Sequence, residues 1–313
     1  MKRTPLLCAA VLALGACVPA TTAPPAAVAP ADDPPGWTRV QASGDFTVAV
    51  PPTLERRYVR GTDSAVDQFQ NAEATFGFDY GMYGGGLARP GAPGEVARGK
   101  VQSGERAGDW TLTENPSAPP EGRWQFLARF SGLDEPPSAR PRPGDAPPPP
   151  GTGLTVYGNC RTREACAVGR DIAASVRFGA RTPAAERLLL LQRTGAPAPP
   201  TETLEGTIVL DDAGCLRMSD NLGNAGPWLI FPSDTRLDSS EPTRPRLLGG
   251  VGGDTLDVEL RSFIVARGVR VDTRSFEPRE LNRAVPPACA GPAFSISTWE
   301  EARGHADRQA GRP

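Results

Sequence analysis

The chemistry open to this sequence is bounded first by what it carries least of. Its one histidine is His305, close to the C-terminal end. A single tail histidine assembles neither a Ser-His-Asp nor a Cys-His nucleophile, nor a histidine-based metal centre. No Gly-x-Ser-x-Gly elbow occurs. Nor does a complete Gly-x-x-x-x-Gly-Lys-Ser/Thr phosphate loop. Carboxylate chemistry survives this screen, because glycoside cleavage needs just two acidic side chains about 5–10 Å apart. Asp79 and Asp234 are the candidates. Alternation sets Asp79 on the strand face opposite Phe76, Phe78 and Tyr80, and Asp234 follows the Trp228–Pro232 segment. Asp79 reads better as a surface or hydrogen-bonded residue, and Asp234 as a turn former after Pro232. Phe76, Phe78, Tyr80 and Tyr83 would make an aromatic ligand face, but alternating apolar positions more often face a core; the same holds for Trp228 and Phe231. Asp211-Asp212 reads as a hairpin turn, since calcium loops need more closely spaced oxygen ligands. No catalytic residue, cofactor or metal site is expected.

The N-terminus is more explicit. Lys2 and Arg3 precede an apolar run from Leu6 to Leu14, too short to cross a bilayer as a helix. It ends in Leu14-Gly15-Ala16-Cys17, which resembles the bacterial lipobox. The resemblance implies cleavage after residue 16, a diacylglyceryl thioether on Cys17 and acylation of the new amine. Several acyl chains make a stable anchor, at about 0.8 kcal/mol per buried methylene. Val18 follows the cysteine where an Asp would favour inner-membrane retention, so the periplasmic face of the outer membrane is expected. The membrane, through the lipid on Cys17, is thus the first partner.

Six cysteines are present. With Cys8 removed and Cys17 lipidated, Cys160, Cys166, Cys215 and Cys289 remain. An even number in an oxidising compartment reads as two disulfides. Cys160–Cys166 and Cys215–Cys289 are preferred, because each pair then stays inside one expected domain. A four-cysteine zinc site lacks the paired short spacings it needs.

The elements that must position these residues follow from patterning. Residues 17–35 are an Ala/Pro-rich tether, extended and unable to bury a core. Residues 36–180 read as an α+β domain, an antiparallel sheet with a packed C-terminal helix. Its strands are Asp45–Val50, Thr75–Tyr80, Trp124–Phe130 and Leu154–Tyr157. A Pro-rich disordered insertion interrupts it at about 133–152, with eight prolines between Pro136 and Pro150. Residues 163–176 read as a helix, with Cys166, Gly169, Ile172, Ala173 and Val176 on one stripe. Residues 181–203 are a connecting helix, over 181–192, and a linker. Residues 204–299 read as a small all-β barrel or sandwich closed by a disulfide, with strands at Gly206–Leu210, Cys215–Met218, Trp228–Phe231, Thr255–Leu260 and Phe294–Ser297. Residues 300–313 are a polar tail.

The first of these domains resembles small α+β envelope domains of bacterial lipoproteins. The resembling residues are Gly44-Asp45-Phe46 before Pro51, Asp63-Ser64, Phe78-Asp79-Tyr80-Gly81, and Ile172-Ala173-Ala174-Ser175-Val176-Arg177-Phe178. That closing stretch is also similar to PsbP-like sandwiches, which implies a last helix packed on an antiparallel sheet. Gly214-Cys215-Leu216, Trp228-Leu229-Ile230-Phe231-Pro232, Gly253-Asp254 and Pro286-Pro287-Ala288-Cys289 resemble a small β domain of bacterial envelope proteins. Neither resemblance brings an activity.

The net charge is −2, and 32 of the 34 basic residues are Arg, scattered among 36 acidic ones. There is no basic footprint for nucleic acid. The expected function is therefore a non-enzymatic envelope lipoprotein, a binding or assembly module for an envelope protein or glycan. Loops Gly81–Gly94 and Ser233–Arg246 would carry recognition. The alternative is a carboxylate-dependent hydrolase of cell-wall or surface polysaccharide.

Overall fold

The computed structural model describes residues 32–42, 46–59, 65–81, 86–133, 152–179, 182–242, 245–250, 253–258 and 262–302. The expected signal segment, Cys17, most of the tether, Gly44-Asp45, Asp63-Ser64, Tyr83, the core of the Pro-rich insertion and His305 lie outside the described residues. The protein is mainly β, built as several sheets.

The N-terminal part consists of β1 (Thr38–Gln41), β2 (Phe46–Val50), β3 (Glu55–Arg57), β4 (Ala65–Gln70), β5 (Ala74–Gly81), β6 (Glu95–Ser103), β7 (Arg106–Glu114), β8 (Trp124–Phe130), β9 (Gly153–Cys160), α1 (Arg163–Ala174) and β10 (Arg177–Phe178). Seven strands form one antiparallel sheet in the order β3-β4-β5-β9-β8-β7-β6. Alternation decides its faces: Phe76, Phe78, Phe126, Ala128, Phe130, Leu154 and Val156 are all buried in one core. Helix α1 lies against that face. Thr162 caps it by accepting from the Ala165 amide at 3.1 Å. Gly169 is required where helix meets sheet, because a Cβ there would stand 2.5 Å from the Phe126 ring and 2.9 Å from that of Phe76. The small sheet β1-β2-β10 closes the same core, with Phe46 5.8 Å from both Phe78 and Tyr80. The ends of the Pro-rich insertion meet, the Leu133 amide donating to Thr152 O at 2.9 Å.

The tether boundary moves. Asp33, assigned to the tether by composition, is part of the folded structure. Its carboxylate accepts from Arg39 Nε at 2.9 Å and Arg177 Nη2 at 3.1 Å. The hydrogen bond and charge of Arg39, with the charge of Arg177, outweigh burial and hold the Asp33 carboxyl below the usual carboxylate range. A depressed folded pKa adds stability above the unfolded value of about 3.9, lost as pH falls through the folded value. Asp33→Asn is expected to lower stability near neutrality by up to about 1 kcal/mol. The difference should vanish in acid, as read by urea unfolding of both proteins at several pH values.

The C-terminal part consists of α2 (Ala184–Arg187), β11 (Glu202–Leu210), β12 (Leu216–Ser219), β13 (Ala225–Ile230), β14 (Arg236–Asp238), β15 (Arg246–Leu248), β16 (Thr255–Asp257), β17 (Phe263–Asp272) and β18 (Pro292–Glu301). Five strands close a barrel in the order β11-β12-β13-β18-β17, with β17 pairing back to β11. The β14-β15-β16 sheet places Leu247, Leu256 and Val258 from its neighbourhood in the barrel core.

Residues 181–192 are not one connecting helix. Helix stops at Arg187, and the Leu188–Leu191 run is extended. Leu188 and Leu190 enter the barrel core, whereas Leu189 and Leu191 join a second cluster around Cys215 and Cys289. Period-two burial on both sides demands extended chain. Isolated bridges Leu189–Cys215 and Gln192–Phe231 fix the segment to the barrel. The linker ends at Glu202, where β11 begins, and the polar tail yields Glu300 and Glu301 to β18. Both preferred disulfides are formed, with Cα–Cα separations of 5.4 Å for Cys160–Cys166 and 6.0 Å for Cys215–Cys289.

Candidate functional site

The face of the seven-stranded sheet turned away from α1 carries the functional candidates. Register stacks them in two adjacent rows. Gln68, Gly77, Tyr157, Leu127 and Thr111 lie opposite one another from β4 to β7. In the next row stand Val66, Asp79, Thr155, Arg129 and Asp109. Lys100 on β6 extends that row and pairs with Asp109 at 2.6 Å.

Tyr157 lies along the sheet. A Cβ on Gly77, its partner on β5, would sit 2.0 Å from the Tyr157 Cζ and 2.3 Å from its hydroxyl. The Tyr157 hydroxyl accepts from Gln68 Nε2 on β4 at 3.1 Å, so the side chain spans from β9 across β5 to β4. Gly77 is what lets the ring lie down. Burial pushes the Tyr157 phenol up, against the Gln68 hydrogen bond, and the charges of Asp79 and Asp67 add to the rise. The phenol therefore stays protonated and keeps its O–H to donate.

Beside the ring are two polar atoms with no protein partner. Asp79 Oδ1 and Thr155 Oγ1 are buried and make no hydrogen bond. Thr155 is 3% exposed and sits directly across from Asp79. Each such desolvated group left unpaired costs about 1–3 kcal/mol. The face continues through Gln125 and Thr113 to an open cleft of about 580 Å³ between the ends of β6, β7 and β8, lined also by Ala88, Glu95 and Asn115. There Glu95 pairs with Arg98 at 2.8 Å, and the Arg98 hydrogen bond holds the Glu95 carboxyl below its usual range.

The other sequence candidates are elsewhere. Phe76 and Phe78 are core residues, and Tyr80 is half-buried against the same core. Trp228 and Phe231 are buried in the C-terminal part, where the Arg217 guanidinium lies 3.2 Å from the Trp228 ring centre. Asp211 shapes a turn, its carboxylate accepting from the Ala213 and Cys215 amides. Asp212 instead reaches β3, taking Arg56 Nη1 at 2.8 Å. Asp234 is exposed in the turn after β13. It lies outside the seven-stranded sheet that carries Asp79. Among the described residues no group of three His, Cys, Asp or Glu side chains could hold a metal.

Sequence patterning located Asp79 and the face it occupies, but missed Thr155, Tyr157 and Gln68 as its neighbours. The signal for them was Gly77, a glycine inside a strand, which marks a close approach by another group. Comparison of the chain with family models, curated proteins and solved structures finds no match.

Proposed function

We propose that this chain is a lipid-anchored envelope protein that acts as a non-enzymatic binding module. Its contact surface is the outer face of the seven-stranded sheet. The observation that carries the reading is the pair of buried, unpartnered atoms Asp79 Oδ1 and Thr155 Oγ1 beside the Tyr157 ring. A face kept purely for solubility would gain by replacing them with paired or apolar groups. The Leu14-Gly15-Ala16-Cys17 sequence supports attachment at Cys17, on the periplasmic face of the outer membrane. In this reading the N-terminal part is an α+β domain akin to PsbP-like sandwiches, and the barrel is a second domain that positions it. A hydrolase built on Asp79 and Asp234 has no support in the placement of those two residues.

The test uses a photo-crosslinking residue introduced at Gln125, exposed on the outer face, or at Glu164, exposed on α1. Irradiation of living cells carrying the full chain is expected to give a discrete adduct from position 125 and none from 164. Cys17→Ser should release the protein from membranes and reduce that adduct. Equal background from both positions would overturn the reading.

A further inference from the structure

The two edges of the seven-stranded sheet are finished differently. β3 is three residues long, and Arg56 and the adjoining Tyr58 bond Asp212 and Gly223 of the C-terminal part. β6, at the other edge, is nine residues long, and among the described residues β7 is its sole strand neighbour. The two-residue turn Gly104-Glu105 makes Ser103 and Arg106 a hydrogen-bonded pair. Alternation along the ladder then turns the backbone groups of Arg98, Lys100 and Gln102 away from β7. Lys100 O shows this direction, accepting from Trp110 Nε1 at 3.2 Å where the indole lies across Gly99. Among the described residues no backbone carbonyl reaches the three outward amides. Lys100 and Gln102 are exposed. Such an edge is a template for another extended chain. A lysine commonly guards an edge, but Lys100 is drawn along its own sheet to Asp109, and the bulge at Glu95/Ala97 blunts one end alone.

The side chains describe what fits. Arg98 and Lys100 stand two positions apart on one face, so acidic side chains directly opposite would make cross-strand pairs. A second copy fits less well. Antiparallel registers centred on Gly99 or Lys100 set Arg98 against Lys100, or Lys100 against itself. Past Arg98, Val96 is 40% exposed beside the open cleft that Ala88, Pro93 and Pro116 also line. An apolar side chain beyond the paired stretch would enter there. We propose that the free edge of β6 takes up an extended segment of a partner protein as an added antiparallel strand. Acidic residues would face Arg98 and Lys100, and an apolar one would fill the cleft. The proposal rests on the binding-module reading and names the kind of partner. Backbone bonds supply its affinity, and the charges and the cleft its specificity.

The probe is a capped peptide of about seven residues, the span from Val96 to Gln102, alternating Val with Glu and ending in Leu. It is titrated at low ionic strength into the full chain carrying Cys17→Ser, and exchange of single amides is followed by NMR. In the free protein the amides of Arg98, Lys100 and Gln102 should exchange faster than those of Gly99 and Val101, which bond β7. Bound peptide should slow those three by about tenfold or more. Lys in place of Glu in the peptide should raise Kd about five- to tenfold, and Ser in place of Leu about fivefold. Gln102→Pro removes an outward amide that the ladder does not use, and should raise Kd about tenfold or more. Gln102→Ala keeps that amide and should leave Kd unchanged. Urea midpoints of the two variants separate lost binding from lost folding, and the peptide substitutions test the same contact on the wild-type strand. Failure of the Glu peptide to slow the three amides at millimolar concentration would overturn the proposal. Equal binding of the Glu and Lys peptides would overturn it too. So would protection of those amides without peptide, by a covered edge or, where protection grows with protein concentration, by a second copy. In each case a discrete adduct from position 125 would still uphold the binding module.

Discussion

Arg56→Met is expected to lower the unfolding free energy by about 3–5 kcal/mol, the range for removing one partner of a buried ion pair. Arg56 sits on β3 at the seam between the large sheet and the barrel. Its Nη2 donates to Asp67 Oδ1 at 3.1 Å and to Gln41 O at 2.8 Å, and its Nη1 to Asp212 Oδ1 at 2.8 Å. Asp67 is fully buried, whereas the Asp212 side chain is 41% exposed. The rings of Tyr58 and Phe69 flank the guanidinium at 5.2 Å and 5.6 Å. Burial works against its charge, but Asp67, Asp212 and Tyr58 outweigh that and hold its pKa above the ordinary arginine value. Without Arg56, Asp67 is a buried carboxylate without its cation, and that residue carries most of the loss. Arg56→Met combined with Asp67→Leu should therefore recover most of the stability, because replacing a whole buried pair by apolar groups is near neutral. Urea unfolding of the two single variants and the double variant measures this as a double-mutant cycle. Additive losses would mean that the cluster is not coupled. The seam has further bonds, Tyr58 N to Gly223 O at 2.7 Å and Gln41 N to Asp212 Oδ1 at 3.3 Å.

Neither the Arg56 cluster nor the Tyr157 face could be read from local patterning, and the reason is the same for both. Arg56 and Asp212 are 156 positions apart, and Gln68 and Tyr157 are 89 apart. Periodicity reports which face a residue occupies, whereas only register reports which residues share a row. Strands with clean alternation and firm terminators were legible, among them Phe46–Val50 before its proline pair and Trp124–Phe130. The α1 stripe was legible because Cys166, Gly169, Ile172 and Ala173 fall at helical spacing. β6 was not, because Glu95–Ser103 is half charged or small and buries little besides Val101 and Ser103. β17 was missed although it is among the longest barrel strands, because Arg267, Gly268 and Arg270 break its apolar pattern beside a register shift at Arg267/Gly268. The Leu188–Leu191 run misled in the opposite direction. Four leucines after a helical turn that opens at Pro183 suit a helix, and it took two cores, one on each side, to draw them into extended chain.

Those two cores also set the second large effect. Replacing Cys215 and Cys289 by Ala is expected to cost about 4.5 kcal/mol, from the chain entropy of closing a loop of this length. The bond joins residues 74 positions apart, and both cysteines are buried among Leu191, Trp228, Ile230 and Leu281. It fastens the segment between β17 and β18, which also holds the barrel through buried Leu281, the packed side chains of Phe276 and Val285, and a few polar contacts. Asn282 receives the Gln192 amide at 3.0 Å and donates to Leu190 O at 3.1 Å, and Thr273 bonds Gly291. The Cys160–Cys166 bridge spans six positions and constrains the unfolded chain far less, about 2.4 kcal/mol. Its Ala pair should therefore be the milder change, although it ties β9 to α1 inside the other core. Urea midpoints of the two Ala pairs, with m-values compared, give the ranking. If the short bridge proves the costlier loss, loop entropy is not what these bonds contribute. Native contacts around α1, the helix that backs the candidate face, would then outweigh it.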